Sequence, residues 1–263
     1  MSPEQTGLGE RARQIAHEAL RPLAAAGTPG RVNRPLVRAL AEHGLLPGLF
    51  PQRVGGTNPG EVAAVDLCLV REALARESTE AENALAIQAL GAHPIVQAGN
   101  PELVRRWVPL VASGEAVAAF ALTEPEAGSD AGSLALNAER DGNAFRLSGE
   151  KTFISNAPDA DVYVVFARTT PDAGSKGITA FVVPGDAPGL SGKPIRLVSP
   201  HPVGRLEFDG VQVDAAVQIH GAVALEEGHL LEHLYREVRA PRIYEGTSEI
   251  QREIIARDLF KEG

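Results

Sequence analysis

The sequence predicts an α+β fold with an α-helical N-terminal domain, a central β domain and a short helical C-terminal domain. Three observations support this order. Apolar residues recur at helical spacing up to about residue 116, short β-branched and aromatic runs follow up to residue 213, and helical spacing returns after that. We therefore expect domain boundaries at residues 1–116, 117–213 and 214–263.

The predicted N-terminal domain is rich in alanine and leucine, which favour helices. Its helical spacing is clearest at Ile15, Ala19, Leu20 and Leu23, and again at Leu36, Leu40, Leu45 and Leu46. Glycine and proline interrupt the pattern at residues 27–30, 50–56 and 99–101, where we expect helices to end. The domain is therefore predicted to contain several helices joined by turns.

The predicted middle domain contains short runs of β-branched and aromatic residues at positions 145–147, 162–166, 178–183 and 205–208. Such runs are typical of strands. Asp141-Gly142 and Ala173-Gly174 precede two of the runs and predict turns.

Charge and composition argue against several classes of function. The formal net charge is −9 and the basic residues are scattered, whereas binding to nucleic acid or to anionic membranes depends on clustered positive charge. No run approaches the ~20 apolar residues of a membrane span, and no signal peptide is evident. We expect neither nucleic acid nor membrane as a partner. The single cysteine, Cys68, is predicted to be a buried small hydrophobe, and the cytoplasm is the expected location.

Three separated motifs carry the chemistry: LTEPEAGSD at residues 122–130, GEKTFISN at 149–156 and YEGTS at 244–248. In this order they resemble the acyl-CoA dehydrogenase flavoprotein family. The resemblance implies a β-barrel-like middle domain and a closing helical bundle, but a long helical block is absent between residues 213 and 214. The C-terminal helical domain is therefore expected to be incomplete, because a bundle of four ~20-residue helices needs roughly 80 residues. Residues 214–221 resemble the end of a late bundle helix.

Glu245 is the predicted catalytic residue. It is predicted to lie on a loop before a helix, because Ser248 and Gln251 match a capping box and Gly246 frees the backbone beside it. Taken alone, this segment also fits an acidic residue that stabilises a helix N-terminus. The resemblance implies instead that Glu245 is the base that removes the α proton of an acyl-CoA, while FAD accepts the β hydride.

The resemblance also implies which residues bind FAD and substrate. Hydroxyl groups and loop amides can bind flavin edges and phosphate oxygens, and an aromatic side chain can cover the ring. The predicted FAD-binding residues are Leu122, Thr123, Ser129, Phe153, Ser155, Gln218, Gly221, Thr247 and Glu249. Of these, Gln218 and Gly221 are expected to reach the FAD of a neighbouring subunit. The predicted substrate-binding residues are Ser129, Tyr244 and Gly246.

The expected partners are an acyl-CoA substrate and an electron-transfer flavoprotein, and the expected assembly is a homodimer or homotetramer. Phe153 stands where many members of the family have tryptophan, and Glu249 where glutamine is common.

A second hypothesis is that the shortened chain is catalytically inactive and serves as a binding or interaction module, because an incomplete bundle would expose an apolar face. A damaged reading frame is a third.

Two histidine patterns suggest other chemistry. His229 and His233 lie four apart on a predicted helix, with His220 upstream, but no cysteine or well-spaced carboxylate completes a metal site. Ser199 and His201 could belong to a hydrolase triad, but no Gly-x-Ser-x-Gly elbow accompanies them. We predict no metal, and a loop at residues 199–202.

Overall fold

The computed structural model describes residues 1–98, 100–214 and 218–221 of the 263-residue chain. The chain divides into a compact unit, Met1–His220, and a second unit, Gly221–Gly263, nearly all of which lies outside the described residues. The first unit begins with helices and continues as a curled, half-barrel sheet. The predicted α+β order is confirmed for this part of the chain.

The described helical part contains six α-helices: α1 (Pro3–Ile15), α2 (Arg21–Ala25), α3 (Arg34–Glu42), α4 (Ala64–Glu77), α5 (Thr79–Ala98) and α6 (Pro101–Ala112). Ser2, Asn33 and Asn100 begin three of them, because each side chain accepts backbone N–H groups of the first turn. Between α1 and α2 the chain forms a π-helical turn, Ala16–Leu20. Pro22 lacks the N–H that would continue α-helical bonding there, which accounts for the wider turn.

The helical spacing in the sequence marks the buried face of this part. Leu20, Leu36 and Leu40 are almost completely buried, as the spacing predicts. The prediction for Cys68 is wrong, because this residue is exposed. Helix α4 buries Val70, and a residue two positions away lies about 200° around a helix of 3.6 residues per turn. The apolar residues around Cys68 therefore encircle the helix and do not mark one face.

Eight strands are assigned in the described residues: β1 (Ala118–Ala121), β2 (Asn137–Asp141), β3 (Ala144–Ser155), β4 (Val162–Arg168), β5 (Ile178–Pro184), β6 (Leu190–Pro194), β7 (Val203–Asp214) and β8 (Gln218–Gly221). They pair in the order β6-β7-β3-β2-β4-β5-β8, and β1 pairs in parallel with β4. The four predicted strands are confirmed as parts of β3, β4, β5 and β7. The sequence pattern does not predict β1, β2 or β6, which consist mainly of small or polar residues. Gly142, with φ of 62°, lies at the predicted turn between β2 and β3.

The sequence pattern also predicts helical structure around Ile219, and this prediction is wrong for residues 218–221. These residues form the short strand β8 beside β5. Pairing there supplies hydrogen-bond partners to the outer edge of β5, which a helix would not do. The other helices predicted after residue 221 lie outside the described residues.

A buried glutamine fixes helix α5 against the sheet and so positions β1. Gln88 is fully buried, donates from Nε2 to the Ala116 carbonyl at 2.9 Å and accepts the Ala118 N–H at 2.7 Å. Nearby, Gly91 lets the helix approach so closely that an added Cβ would lie 2.7 Å from Ala119 N. The end of β1, from which the first motif continues, is therefore held by the helical part.

Candidate functional site

The first two motifs lie side by side in the structure. The Thr152 N–H donates to the Thr123 carbonyl at 2.9 Å, and Lys151 Nζ donates to the Leu122 carbonyl at 2.8 Å. Residues 122–124, which leave β1, therefore run against β3. Two segments that are far apart in sequence are therefore in contact.

A buried ion pair fixes this arrangement. Lys151 Nζ lies 2.7 Å from Glu124 Oε1, and neither side chain is more than 7% exposed. The Glu124 carboxylate also accepts the backbone N–H groups of Ala135 and Leu136, at 2.6 and 2.9 Å. Burial lowers the pKa of Lys151 to about 8, although the negative charge of Glu124 opposes this change. The loop from Glu124 to Leu136 is thus tied to β3 by a carboxylate with three donors.

A distortion of β3 presents Phe153 at the surface. The register between β3 and β7 shifts between Lys151 and Ile154, which marks a β-bulge. Phe153 has φ of 55°, in the left-handed region that costs a non-glycine residue about 1–2 kcal/mol. Its side chain is 61% exposed although it is large and apolar. A strained backbone that exposes an aromatic ring makes Phe153 a candidate for binding.

Ser155, at the end of β3, shares a hydrogen bond with a histidine. The Ser155 Oγ lies 2.9 Å from His201 Nε2, and His201 is only 4% exposed. Asn156 fixes this end of the strand, because its Nδ2 donates to the Ala118 carbonyl and its N–H to the Pro202 carbonyl, both at 2.9 Å. Strands β1 and β3 and the loop before β7 therefore meet beside Ser155.

Ser129 lies on an exposed loop that continues from the first motif. Glu124 and Ala127 exchange backbone hydrogen bonds of 3.0 and 3.3 Å, which form a tight turn. Further on, the Ser133 hydroxyl donates to the Asp130 carboxylate beside a short 3₁₀ turn. Ser129 is thus exposed between two fixed points of the loop.

The structure places four of the predicted FAD-binding residues on two hydrogen-bonded segments: Leu122 and Thr123 follow β1, and Phe153 and Ser155 belong to β3. Leu122 is buried there, whereas Thr123 and Ser155 are partly exposed. Gln218 and Gly221 lie in β8, separated from β3 by β2, β4 and β5. The predicted residues Tyr244, Glu245, Gly246, Thr247 and Glu249 lie outside the described residues.

Three buried residues that contact these segments are not identified by sequence reasoning. Glu124 and Lys151 belong to the first two motifs, and their opposite charges are the only sequence signal of the ion pair. Sequence spacing does not reveal that they are neighbours. His201 is predicted only to close a loop, and its burial against Ser155 comes from the fold.

The described part of the chain comprises residues 1–98, 100–214 and 218–221. That part of the chain contains no group of three or more histidine, cysteine, aspartate or glutamate residues that could hold a metal ion. The histidine pair at His229 and His233 lies outside it. Within the same residues, no helix has both the length and the apolar character needed to cross a bilayer.

The strain at Phe153 predicts that Phe153→Gly will be more stable than Phe153→Ala. Glycine adopts a φ of 55° freely, whereas alanine retains the left-handed cost, so we expect a difference of about 1 kcal/mol. Thermal unfolding of the two variants measures it. Glu139, an exposed residue of β2, is the matched control, because there alanine should be the more stable replacement. A more stable alanine variant at position 153 would contradict the strained geometry.

Comparison with known proteins identifies the family. The model of the acyl-CoA dehydrogenase N-terminal domain matches residues 2–115, that of the middle domain residues 119–211 and that of the C-terminal domain residues 212–260. Over 182 residues the chain is 38% identical to cyclohexane-1-carbonyl-CoA dehydrogenase of Geobacter metallireducens. The aligned region covers 69% of this chain and 47% of that protein.

Solved structures support the same assignment. The glutaryl-coenzyme A dehydrogenase glutaryl-CoA complex superposes with a TM-score of 0.78 at 29% identity, covering 88% of this chain and 61% of the other. The FAD complex of PigA gives a TM-score of 0.78 at 28% identity, with coverages of 89% and 61%. The chain therefore spans between 47% and 61% of the length of these relatives. Together, these matches show that the chain belongs to the acyl-CoA dehydrogenase family, with its α+β fold.

Proposed function

We propose that this chain binds FAD and uses it to dehydrogenate an acyl-CoA thioester between its α and β carbons. The observation that carries the proposal is the exposed ring of Phe153, held by a strained backbone on the surface that includes Thr123 and Ser155. An aromatic face with neighbouring hydroxyl groups suits a flat heterocycle with polar edges. The family is FAD-dependent, and one similar structure is an FAD complex.

The other contacts of this proposal follow from the resemblance. Ser129, on its exposed loop, has a hydroxyl that can donate to a phosphate oxygen or lie along the pantetheine path. The remaining proposed FAD contacts are Leu122, Gln218, Gly221, Thr247 and Glu249. Tyr244 and Gly246 are proposed to contact the substrate beside the catalytic glutamate. A homodimer or homotetramer would let one subunit supply Gln218 and Gly221 to its neighbour's cofactor.

The proposed reaction removes a proton from the α carbon and a hydride from the β carbon, leaving a C=C double bond. FAD, when bound, supplies the hydride acceptor. Glu245 receives the proton on its carboxylate. An ordinary glutamate has a pKa of about 4.3, so the side chain must be desolvated to become a stronger base. A hydrogen bond from the Glu245 backbone N–H to the thioester carbonyl would make the α proton more acidic.

A binding or interaction module without catalytic activity is the second candidate. The observation that favours it is the reduced C-terminal part, since the chain spans 61% of the glutaryl-CoA dehydrogenase structure.

The catalytic proposal also requires an acceptor for the electrons of the reduced flavin, and an electron-transfer flavoprotein is the proposed partner. The proposed location is the cytoplasm.

Anaerobic titration of the FAD-loaded chain with saturated acyl-CoA thioesters of several chain lengths tests the catalytic proposal. We expect the visible band of oxidised flavin to disappear as an enoyl-CoA forms. A chain that binds FAD but keeps the oxidised band with every thioester would favour the non-catalytic module.

A further inference from the structure

We propose that His201 is a positioning residue that sets the hydrogen-bonding direction of the Ser155 hydroxyl. In this arrangement His201 Nε2 is protonated and donates a hydrogen bond to Ser155 Oγ. The Ser155 O–H group then donates a hydrogen bond toward the cofactor ring. The inference rests on the proposed function, because it concerns how that site forms a hydrogen bond with FAD.

The geometry comes from a loop held tightly between β6 and β7. His201 is 4% exposed and its Nε2 lies 2.9 Å from Ser155 Oγ. On either side of it, the Pro200 carbonyl accepts the Gly30 N–H and the Pro202 carbonyl accepts the Asn156 N–H, both at 2.9 Å. The backbone of the loop is thus anchored immediately before and after the imidazole, which is preorganised against Ser155.

The chemistry of a serine hydroxyl makes the direction of this bond important. A hydroxyl has one proton to donate and two lone pairs that accept. If Nε2 is unprotonated, the Ser155 O–H group donates its hydrogen bond to His201, and Ser155 can only accept a hydrogen bond from the cofactor. If Nε2 is protonated, Ser155 accepts from His201 and its proton is available to another acceptor. Two ring nitrogens of an oxidised flavin, N1 and N5, carry no hydrogen and accept hydrogen bonds, so the second arrangement matches them.

Ser155 is accessible to a bound cofactor, whereas His201 is not. Ser155 is partly exposed and follows Phe153 by two residues on β3, whereas His201 is buried behind it. The histidine therefore acts on the cofactor through the serine. A purely structural histidine at this position would affect unfolding but would not affect the flavin in a way that depends on Ser155.

Nitrogen NMR of the labelled, cofactor-free protein at neutral pH tests the first half of the inference. The expected result is a protonated Nε2 on His201, in either the neutral or the cationic ring. An unprotonated Nε2 would overturn the inference. Ser155→Ala identifies the signal, because removal of the hydroxyl should shift the Nε2 resonance of His201.

A double-mutant cycle on the FAD-bound protein tests the second half. His201→Leu and Ser155→Ala should each weaken FAD binding about threefold to tenfold and shift its visible spectrum and midpoint potential. Because His201 acts through Ser155, adding His201→Leu to Ser155→Ala should produce no further shift. His201→Gln, which retains an N–H donor, should restore most of the wild-type spectrum.

His43→Leu and Ser175→Ala are the matched controls, because both residues are exposed and belong to other parts of the chain. Neither should change the spectrum. FAD binding with additive shifts in the cycle would overturn this inference alone. A folded wild-type chain that binds no FAD would overturn the proposed function and the inference together.

Discussion

Glu245→Gln is expected to leave bound FAD oxidised when an acyl-CoA is added. Glutamine keeps the size and hydrogen-bonding ability of glutamate but cannot accept the α proton, so the rate of flavin reduction should fall about 10²–10⁴-fold. FAD affinity should change little, because the carboxylate acts on the substrate. Stopped-flow measurement of flavin absorbance under anaerobic conditions gives the rate.

Glu115→Gln is the matched control for this variant, since Glu115 is an exposed residue before β1. The FAD bound to this control variant should be reduced by acyl-CoA at the wild-type rate. A Glu245→Gln protein that is reduced as fast as the Glu115→Gln protein would show that another group is the base.

Lys151→Met is expected to produce the largest loss of stability. Methionine has a similar length but no charge, so the Glu124 carboxylate would stay buried without its counter-ion. Breaking one side of a buried ion pair costs about 3–5 kcal/mol, although the Ala135 and Leu136 N–H groups continue to serve the carboxylate. A loss of about 3 kcal/mol corresponds to a fall in Tm of roughly 6–12 °C for a domain of this size.

Two further variants define the origin of that loss. Arg76→Met breaks the exposed pair between Arg76 and Glu72, whose side chains are 61% and 59% exposed, and should change stability by less than about 1 kcal/mol. Adding Glu124→Gln to Lys151→Met should recover part of the lost Tm, because it removes the unpaired charge. A Lys151→Met Tm no lower than that of Arg76→Met would contradict the buried ion pair.

Local patterns predict the elements of this fold better than the site. Strands β4 and β5 are recognisable because both are continuous apolar runs, and helix α3 because its leucines recur on one face. Pairing between distant segments leaves no local mark. The contact of residues 122–124 with β3 arises from the whole sheet and from the anchoring of β1 by Gln88.

The β-bulge shows most clearly why alternation fails at the site. In a regular strand Lys151, Phe153 and Ser155 would share a face, because successive side chains alternate. The bulge separates them, so that Lys151 is fully buried while Phe153 is exposed. A reading based on residue type alone would reverse the two positions. Here resemblance to a family predicts the role of Phe153, and the physical reason becomes visible only in the structure.

Equilibrium titration of the purified, cofactor-free chain with FAD tests the central proposal most directly. The wild-type chain should bind FAD with a saturable change in its visible spectrum, and Phe153→Ala should bind about threefold to tenfold more weakly because the stacking face is lost. A folded wild-type chain that leaves the FAD spectrum unchanged, at any concentration, would contradict a flavin site on this surface.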